Sequence, residues 1–237
     1  MCTVAKMQIR CAARLSFAQY RNFASFLTEK TFSKFEIMTN IWIYTDDGAA
    51  NIDLVVHGVK EALQTLALQD SYTVELVKAD DIRNISTSSV KLLIIPGGRA
   101  TPYIKKLAGN GCYGIDRYIQ QGGCYLGFGA GAYFASKSVE FEKGSPLEIC
   151  RNNQLEFFPG TARGTVYSGF QYNANDGATA ATILLEDLLA SQLAINSCRL
   201  YYNGGCEFIP TPQSNVDMHQ VQVLARYKDR GIDFVYK

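Results

Sequence analysis

The residues that could carry chemistry lie in a few glycine-rich and aromatic stretches. The first is Gly127-Phe128-Gly129-Ala130-Gly131-Ala132-Tyr133, between a short apolar run and a run of helix-compatible residues. Small residues on both sides of one position are what a nucleophile elbow needs. The strand-to-helix turn is tight, its central residue is strained, and that residue's side chain projects from the turn. The spacing puts Gly129 at the nucleophile position. Glycine adopts strained angles at little cost but has no group with which to attack. Free backbone N–H groups at such a turn, that of Ala130 included, can receive an anion. The plain alternative is a tight turn with no ligand.

The second stretch is Pro96-Gly97-Gly98-Arg99, directly after the apolar run Lys91-Leu92-Leu93-Ile94-Ile95. Glycines there leave N–H groups open to a substrate oxyanion. A simple turn is the alternative. The third runs from Phe157-Phe158-Pro159-Gly160-Thr161-Ala162-Arg163-Gly164 to Gly169-Phe170-Gln171-Tyr172-Asn173. The fourth is Tyr201-Tyr202-Asn203-Gly204-Gly205. Arg163, Tyr172, Asn173, Asn203, Gly204 and Gly205 are the kind of residues that line a polar pocket. They equally suit core aromatics and Asn-Gly turns.

Cys124, Cys206 and Ser136 are the other candidate nucleophiles. Cys124 lies five residues before Gly129, inside an expected strand and expected buried. Cys206 follows the Asn-Gly-Gly turn, and Ser136 falls on the expected helix after the elbow. None sits at the pre-shaped turn. Glu140 and Glu207 are candidate pocket acids, against solvated or core roles. The chain has seven cysteines, no Cys-x-x-Cys pair and two histidines. No metal site and no cofactor is expected from that set. Free thiols in a reducing compartment fit the odd cysteine count. His57 falls within the first helical pattern and reads as structural or surface.

These motifs need a scaffold. The 237 residues are 47% hydrophobic and 19% charged, which describes a globular chain and argues against disorder. The formal net charge of +1 gives no pull toward nucleic acid or an anionic membrane. Ile41–Tyr44, Tyr72–Val77, Lys91–Ile95 and Cys124–Phe128 read as buried strands. Leu54 to Leu66 shows a one-faced helical pattern, Ile104 to Gln121 carries helical stretches, and Ala130 to Lys137 is helix-compatible. Strand and helix alternate, so the expectation is a doubly wound, three-layer, flavodoxin-like α/β domain with a mostly parallel sheet. Sites in such sheets lie beyond the carboxyl ends of the strands.

From Val139 onward the chain changes character. Short β-like runs at Leu155–Phe158, Val166–Tyr167 and Leu200–Tyr202 predict an antiparallel, β-rich extension of the same domain. Ala178 to Ala194 predicts one helix. Residues 1–38 are set apart as an extension. Residues 1–28 carry Lys6, Arg10, Arg14 and Arg21 and no acid. A targeting segment, a helical extension and a stretch upstream of a true start at Met38 all stay open. No run of about 18 apolar residues occurs, so no transmembrane helix is expected.

Taken together, the motifs resemble the amino-terminal domain of eukaryotic-type biotin–protein ligases and its stand-alone bacterial relatives. The matching stretches are Ile95–Gly98, Gly122–Phe134, Val139–Phe141, Phe157–Gly164, Gly169–Asn173 and Tyr202–Gly205, in that order over residues 39–237. The resemblance implies a fold like that of class I glutamine amidotransferases. It also implies a cysteine at the elbow, where this chain has Gly129, and a histidine in a late Gly-Val-His-like segment. His219 lies in a polar stretch unlike that segment. No Gly-Arg-Gly-Arg-type loop for biotinyl-adenylate occurs; Lys228-Asp229-Arg230-Gly231 is a poor substitute, so biotin ligation is not expected.

A Cys–His pair needs both members, a base and a thiolate. The chain therefore reads first as a catalytically impaired amidotransferase-like domain. It would bind a small ligand or a protein partner around Gly97, Gly98, Arg99, Phe128, Ala130, Tyr133 and Arg163. The first alternative is an active cysteine hydrolase or amidotransferase whose elbow cysteine is replaced by Gly129, in a chain cut short in its last strand-like run, Ile232–Tyr236. The second is a docking module for a ligase or carboxylase. The expected compartment is the cytoplasm, or the mitochondrion if residues 1–38 are a transit segment.

Overall fold

The computed structural model describes residues 8–11, 39–211 and 221–228. His219, the run at 232–236 and nearly all of the 1–38 extension lie outside the described residues. The chain divides into two compact units, residues 7–137 with 152–157, and residues 138–151 with 158 onward.

The first unit is built on a five-stranded sheet. Its strands are β1 (Gln8–Cys11), β2 (Thr39–Tyr44), β3 (Tyr72–Val77), β4 (Val90–Ile95) and β5 (Cys124–Gly127), in the order β1-β5-β4-β2-β3. β2 pairs in parallel with β3 and β4, and β4 with β5; β1 runs antiparallel to β5. The helices are α1 (Ile52–Thr65), α2 (Ala79–Ile82), α3 (Ala100–Leu107), α4 (Asn110–Gln120) and α5 (Ala130–Ala135).

Strand β4 shows why its apolar run is continuous. Leu93 and Ile95 point to one face, among Tyr44, Tyr103, Leu107, Ile115, Tyr118 and Phe134. Leu92 and Ile94 point to the other, among Ile41, Ile43, Leu63, Val55, Val59 and Phe128. Side chains alternate along a strand, so a sheet covered on both faces needs apolar residues at every position. Leu93, Ile94 and Ile95 are fully buried, and each contributes about 1.5–3 kcal/mol relative to exposure. Helix α1 covers one face through Val55, Val59 and Leu63, while α3 and α4 serve the other.

The expected strands are present with small shifts of their ends. The helical stretch at 104–121 is two helices, parted at Gly109. Helix α5 stops at Ala135 rather than Lys137. Ser136 is not helical as expected: it caps α5 and begins the next strand, with its Oγ donating to the Ala132 carbonyl at 3.0 Å. The buried Asn153 amide fixes that exit by donating to the Tyr133 and Ser136 carbonyls at 2.8 and 2.7 Å.

The second unit contains two further sheets. A four-stranded sheet has the order β11-β8-β6-β7, from β6 (Ser136–Phe141), β7 (Ile149–Asn152), β8 (Phe158–Gly164) and β11 (Cys206–Pro210). A three-stranded sheet has the order β10-β9-β12, from β9 (Thr179–Leu185), β10 (Ser197–Tyr202) and β12 (Ala225–Tyr227). The pairs β8–β11, β9–β10 and β9–β12 are antiparallel.

The single helix expected at 178–194 is instead β9 followed by α6 (Asp187–Leu193). Ala181 and Ile183 face a small core with Val166, Leu200 and Tyr202. The β-branched Thr179, Thr182 and Ile183 favour that period-two arrangement. Of the run at 155–158 only Phe158 enters a strand, and Val166–Tyr167 forms no strand. Leu155 and Phe157 are instead buried in the first unit, where Phe157 meets Tyr125 edge-on at 5.5 Å.

Candidate functional site

At the carboxyl end of β5 the chain turns within two residues. Phe128 N–H is held by the Ile95 carbonyl at 3.0 Å. Gly129 then takes φ 46 and ψ −107, and α5 begins at Ala130. The N–H groups of Ala132 and Tyr133 both reach the Gly129 carbonyl at 3.0 Å, and Gly131 N–H reaches Phe128 and Pro96 carbonyls at 2.8 and 3.1 Å. That positive φ is a strained conformation for any residue with a side chain.

The three glycines of the turn differ in what surrounds them. A Cβ on Gly127 would stand 2.7 Å from the Gly131 carbonyl group, and one on Gly131 would overlap the Ile95 carbonyl oxygen. A Cβ on Gly129 would meet only Gly97 Cα, at an ordinary 3.6 Å. Close packing of β5, α5 and β4 therefore requires the outer two glycines, while the central one has room for a side chain.

The loop after β4 lies against this turn. Ala50 N–H donates to the Gly97 carbonyl and Arg99 N–H to the Gly48 carbonyl, both at 2.9 Å, so the loops after β2 and β4 are zipped across Ala49 and Gly98. Gly98 has φ 132. Fully buried Tyr103, from α3, places its hydroxyl 3.1 Å from the Pro96 carbonyl and 2.9 Å from the Gly97 carbonyl. Burial raises its pKa, so the phenol stays protonated and donates. Tyr44, at the end of β2, packs edge-on to Tyr103 at 5.4 Å. Its own hydroxyl is buried and has no hydrogen-bond partner among the described residues. Nearby, the Asp47 N–H bonds the Asp46 carboxylate at 2.8 Å and holds its pKa down, with Lys106 3.8 Å away.

Among the described residues, the N–H groups of Gly97, Gly98 and Ala130 have no intramolecular acceptor. Gly98 is exposed, and Gly97 and Gly129 are partly so. Open donors beside a strained, accessible turn are suited to an oxyanion or a carbonyl oxygen. Arg99 is exposed, Phe128 packs toward the α1 face, and Tyr133 is buried.

The remaining sequence candidates belong to the second unit. Arg163 Nε donates to Glu140 at 2.8 Å, and Lys143 reaches the same carboxylate at 3.2 Å. The Arg163 bond, first of all, lowers the Glu140 pKa. Tyr172 meets Phe170 edge-on at 5.0 Å and lies tilted against Phe141 at 6.1 Å. Asn173 has φ 59. Asn203 Nδ2 donates to the Ala174 carbonyl at 3.1 Å, and a Cβ on Gly204 would stand 2.6 Å from the Phe170 ring. The Tyr202 hydroxyl accepts from Val166 and Tyr167 N–H groups and donates to the Gly205 carbonyl, at 2.6, 3.2 and 2.7 Å. The motifs at 169–173 and 201–205 thus brace one another.

The alternative nucleophiles stand elsewhere. Cys124 opens β5, about 10 Å of strand from Gly127, and is half-buried rather than buried as expected. Ser136 is fully buried at the far end of α5, and Cys206 is buried at the start of β11. His57 is exposed on α1, 3.4 Å from Glu61. Among the described residues no cluster of three or more His, Cys, Asp or Glu could hold a metal. No helix among them is long and apolar enough to cross a membrane. Sequence reasoning missed Tyr44 and Tyr103. Each is an aromatic residue within four or five positions of a strand-end glycine, Gly48 or Gly98, and that spacing was the available signal.

A family model described as "Biotin-protein ligase, N terminal" matches residues 39–235. The chain belongs to this family. The biotin–protein ligase of Schizosaccharomyces pombe is 32% identical over 198 residues, which cover 82% of this chain and 30% of that protein. An uncharacterized protein of Chlamydia muridarum is 37% identical over 142 residues, 60% of this chain and 51% of that one. The chain thus spans from under a third to about half the length of these curated relatives. The matched region of this biotin–protein ligase N-terminal domain takes in both described units and all four sequence motifs.

Proposed function

We propose that this biotin–protein ligase N-terminal domain is an amidotransferase-like binding domain that has lost its nucleophile. Its ligand is a small carboxylate or amide-bearing molecule held at the Gly129 turn. The observation that carries this is the turn itself: elbow backbone angles, two sterically required flanking glycines, and a central glycine with space for an absent side chain. The strand order β3-β2-β4-β5, with β2 first in sequence, matches the flavodoxin-type order and supports the amidotransferase-like fold. The open N–H groups of Gly97, Gly98 and Ala130 lie at the carboxyl ends of β4 and β5, where ligands of such sheets bind.

A second reading is an enzyme that acts once a thiol stands at position 129. The room for a Cβ there favours it. A paired assay separates the two. Parent protein and Gly129→Cys are compared for labelling by a thiol-reactive probe at neutral pH and for ammonia release from glutamine. The binding reading expects no ammonia from either protein and an introduced thiol of ordinary reactivity. Turnover by Gly129→Cys overturns it in favour of the second reading; turnover by the parent overturns both.

A further inference from the structure

We infer that Tyr103 is the positioning residue of this site, aiming the Gly98 N–H at a carboxylate or carbonyl oxygen of the ligand. The inference rests on the binding reading above and adds the residue that sets one donor's direction.

A peptide unit is rigid and planar, with its C=O and the next N–H pointing opposite ways. Whatever fixes the Gly97 carbonyl therefore fixes the Gly98 N–H. Two donors hold that carbonyl, the Tyr103 hydroxyl and the Ala50 N–H, each at 2.9 Å. They occupy both of its lone-pair directions. The next N–H, of Arg99, is bound to Gly48, so the loop cannot swing about Gly98. The Gly98 N–H is left facing away from Tyr103 with no internal acceptor among the described residues.

Tyr103 also links this donor to the elbow. Its single hydroxyl proton is shared with the Pro96 carbonyl, which accepts in turn from Gly131 N–H inside α5. One side chain thus spans the loop after β4 and the helix that starts at Ala130. The ring is fully buried between Tyr44 and Phe134, so packing rather than solvent sets its position. A donor fixed before the ligand arrives costs no reorganisation on binding.

The test follows backbone amide signals of the full chain during titration with acetate. The parent is expected to show saturable shifts at Gly98 and Ala130. Tyr103→Phe keeps the ring and removes the hydroxyl; it should weaken acetate binding about tenfold and abolish the Gly98 shift, while Ala130 still responds. A purely structural role would move both amides together. Tyr113→Phe removes an exposed hydroxyl on α4, outside the site, and should leave acetate affinity unchanged. Ala50→Pro removes the other donor to the Gly97 carbonyl and should give the same selective loss at Gly98, which keeps the inference testable if Tyr103→Phe does not fold. Parent-like titration of Tyr103→Phe overturns the role of Tyr103 and leaves the binding reading standing. No response at Gly98 or Ala130 in the parent overturns the donor site itself, and both go.

Discussion

Replacing Gly131 by alanine should destabilise the first unit by about 3 kcal/mol or more. Helix propensity alone predicts the opposite sign. Gly131 lies inside α5, where alanine is normally better than glycine by up to about 1 kcal/mol. Space decides otherwise. The new Cβ would overlap the carbonyl oxygen of Ile95 and stand 2.8 Å from its carbonyl carbon. Ile95 is fully buried in the central strand, so neither partner can withdraw without shifting β4 or α5. Gly129→Cys is the matched comparison. Its Cβ meets nothing closer than 3.6 Å, and its cost is the strain of a side chain at φ 46, about 1–3 kcal/mol. Urea unfolding followed by the fluorescence of Trp42, the chain's one tryptophan and a residue of β2, reads both variants. The reasoning fails if Gly131→Ala is as stable as the parent, or if Gly129→Cys costs as much as Gly131→Ala.

In the second unit, Tyr202→Phe should cost about 1–3 kcal/mol in urea unfolding, because it removes the acceptor of two N–H groups and the donor to Gly205; a loss below about 0.5 kcal/mol would refute the bracing role. The Glu140–Arg163 pair is half-exposed, so Arg163→Ala should cost under about 1 kcal/mol, and less at high salt. The folded state lowers the Glu140 pKa below its ordinary value of 4.5. The pair's contribution is therefore complete above that value and fades as pH falls below it, so the parent and Arg163→Ala should converge in stability in acid. Thiol labelling of the native protein at pH 8 should reach the exposed Cys150 before Cys112 and Cys206, both buried; burial raises the Cys112 pKa to about 11.

Much of the first unit was legible in the sequence because its signals are local. The run at 92–95 is apolar at every position, and a strand buried on both faces needs that. The glycine spacing at 127, 129 and 131 announced the turn, and the backbone angles at Gly129 follow from it. Ala178 to Ala194 misled because small and apolar residues suit either period; pairing with β10, eighteen residues further on, decides for strand up to Leu185. Ser136 was misplaced because the stop signal for α5 is Asn153, a side chain distant in sequence. Tyr103 escaped for a similar reason: a tyrosine in a helix says nothing about which carbonyls its hydroxyl will meet.

The difference in crowding among the three elbow glycines also bears on how the family can change. Glycine codons GGU and GGC differ from cysteine codons UGU and UGC by one base. At Gly127 and Gly131 such a change would jam β5, α5 and β4 together. At Gly129 the surrounding atoms need not move. Losing or regaining a thiol at this turn is thus a single mutational step that leaves the scaffold in place. Descendants of one ancestor can gain or lose a side chain at this turn without passing through an unfolded intermediate.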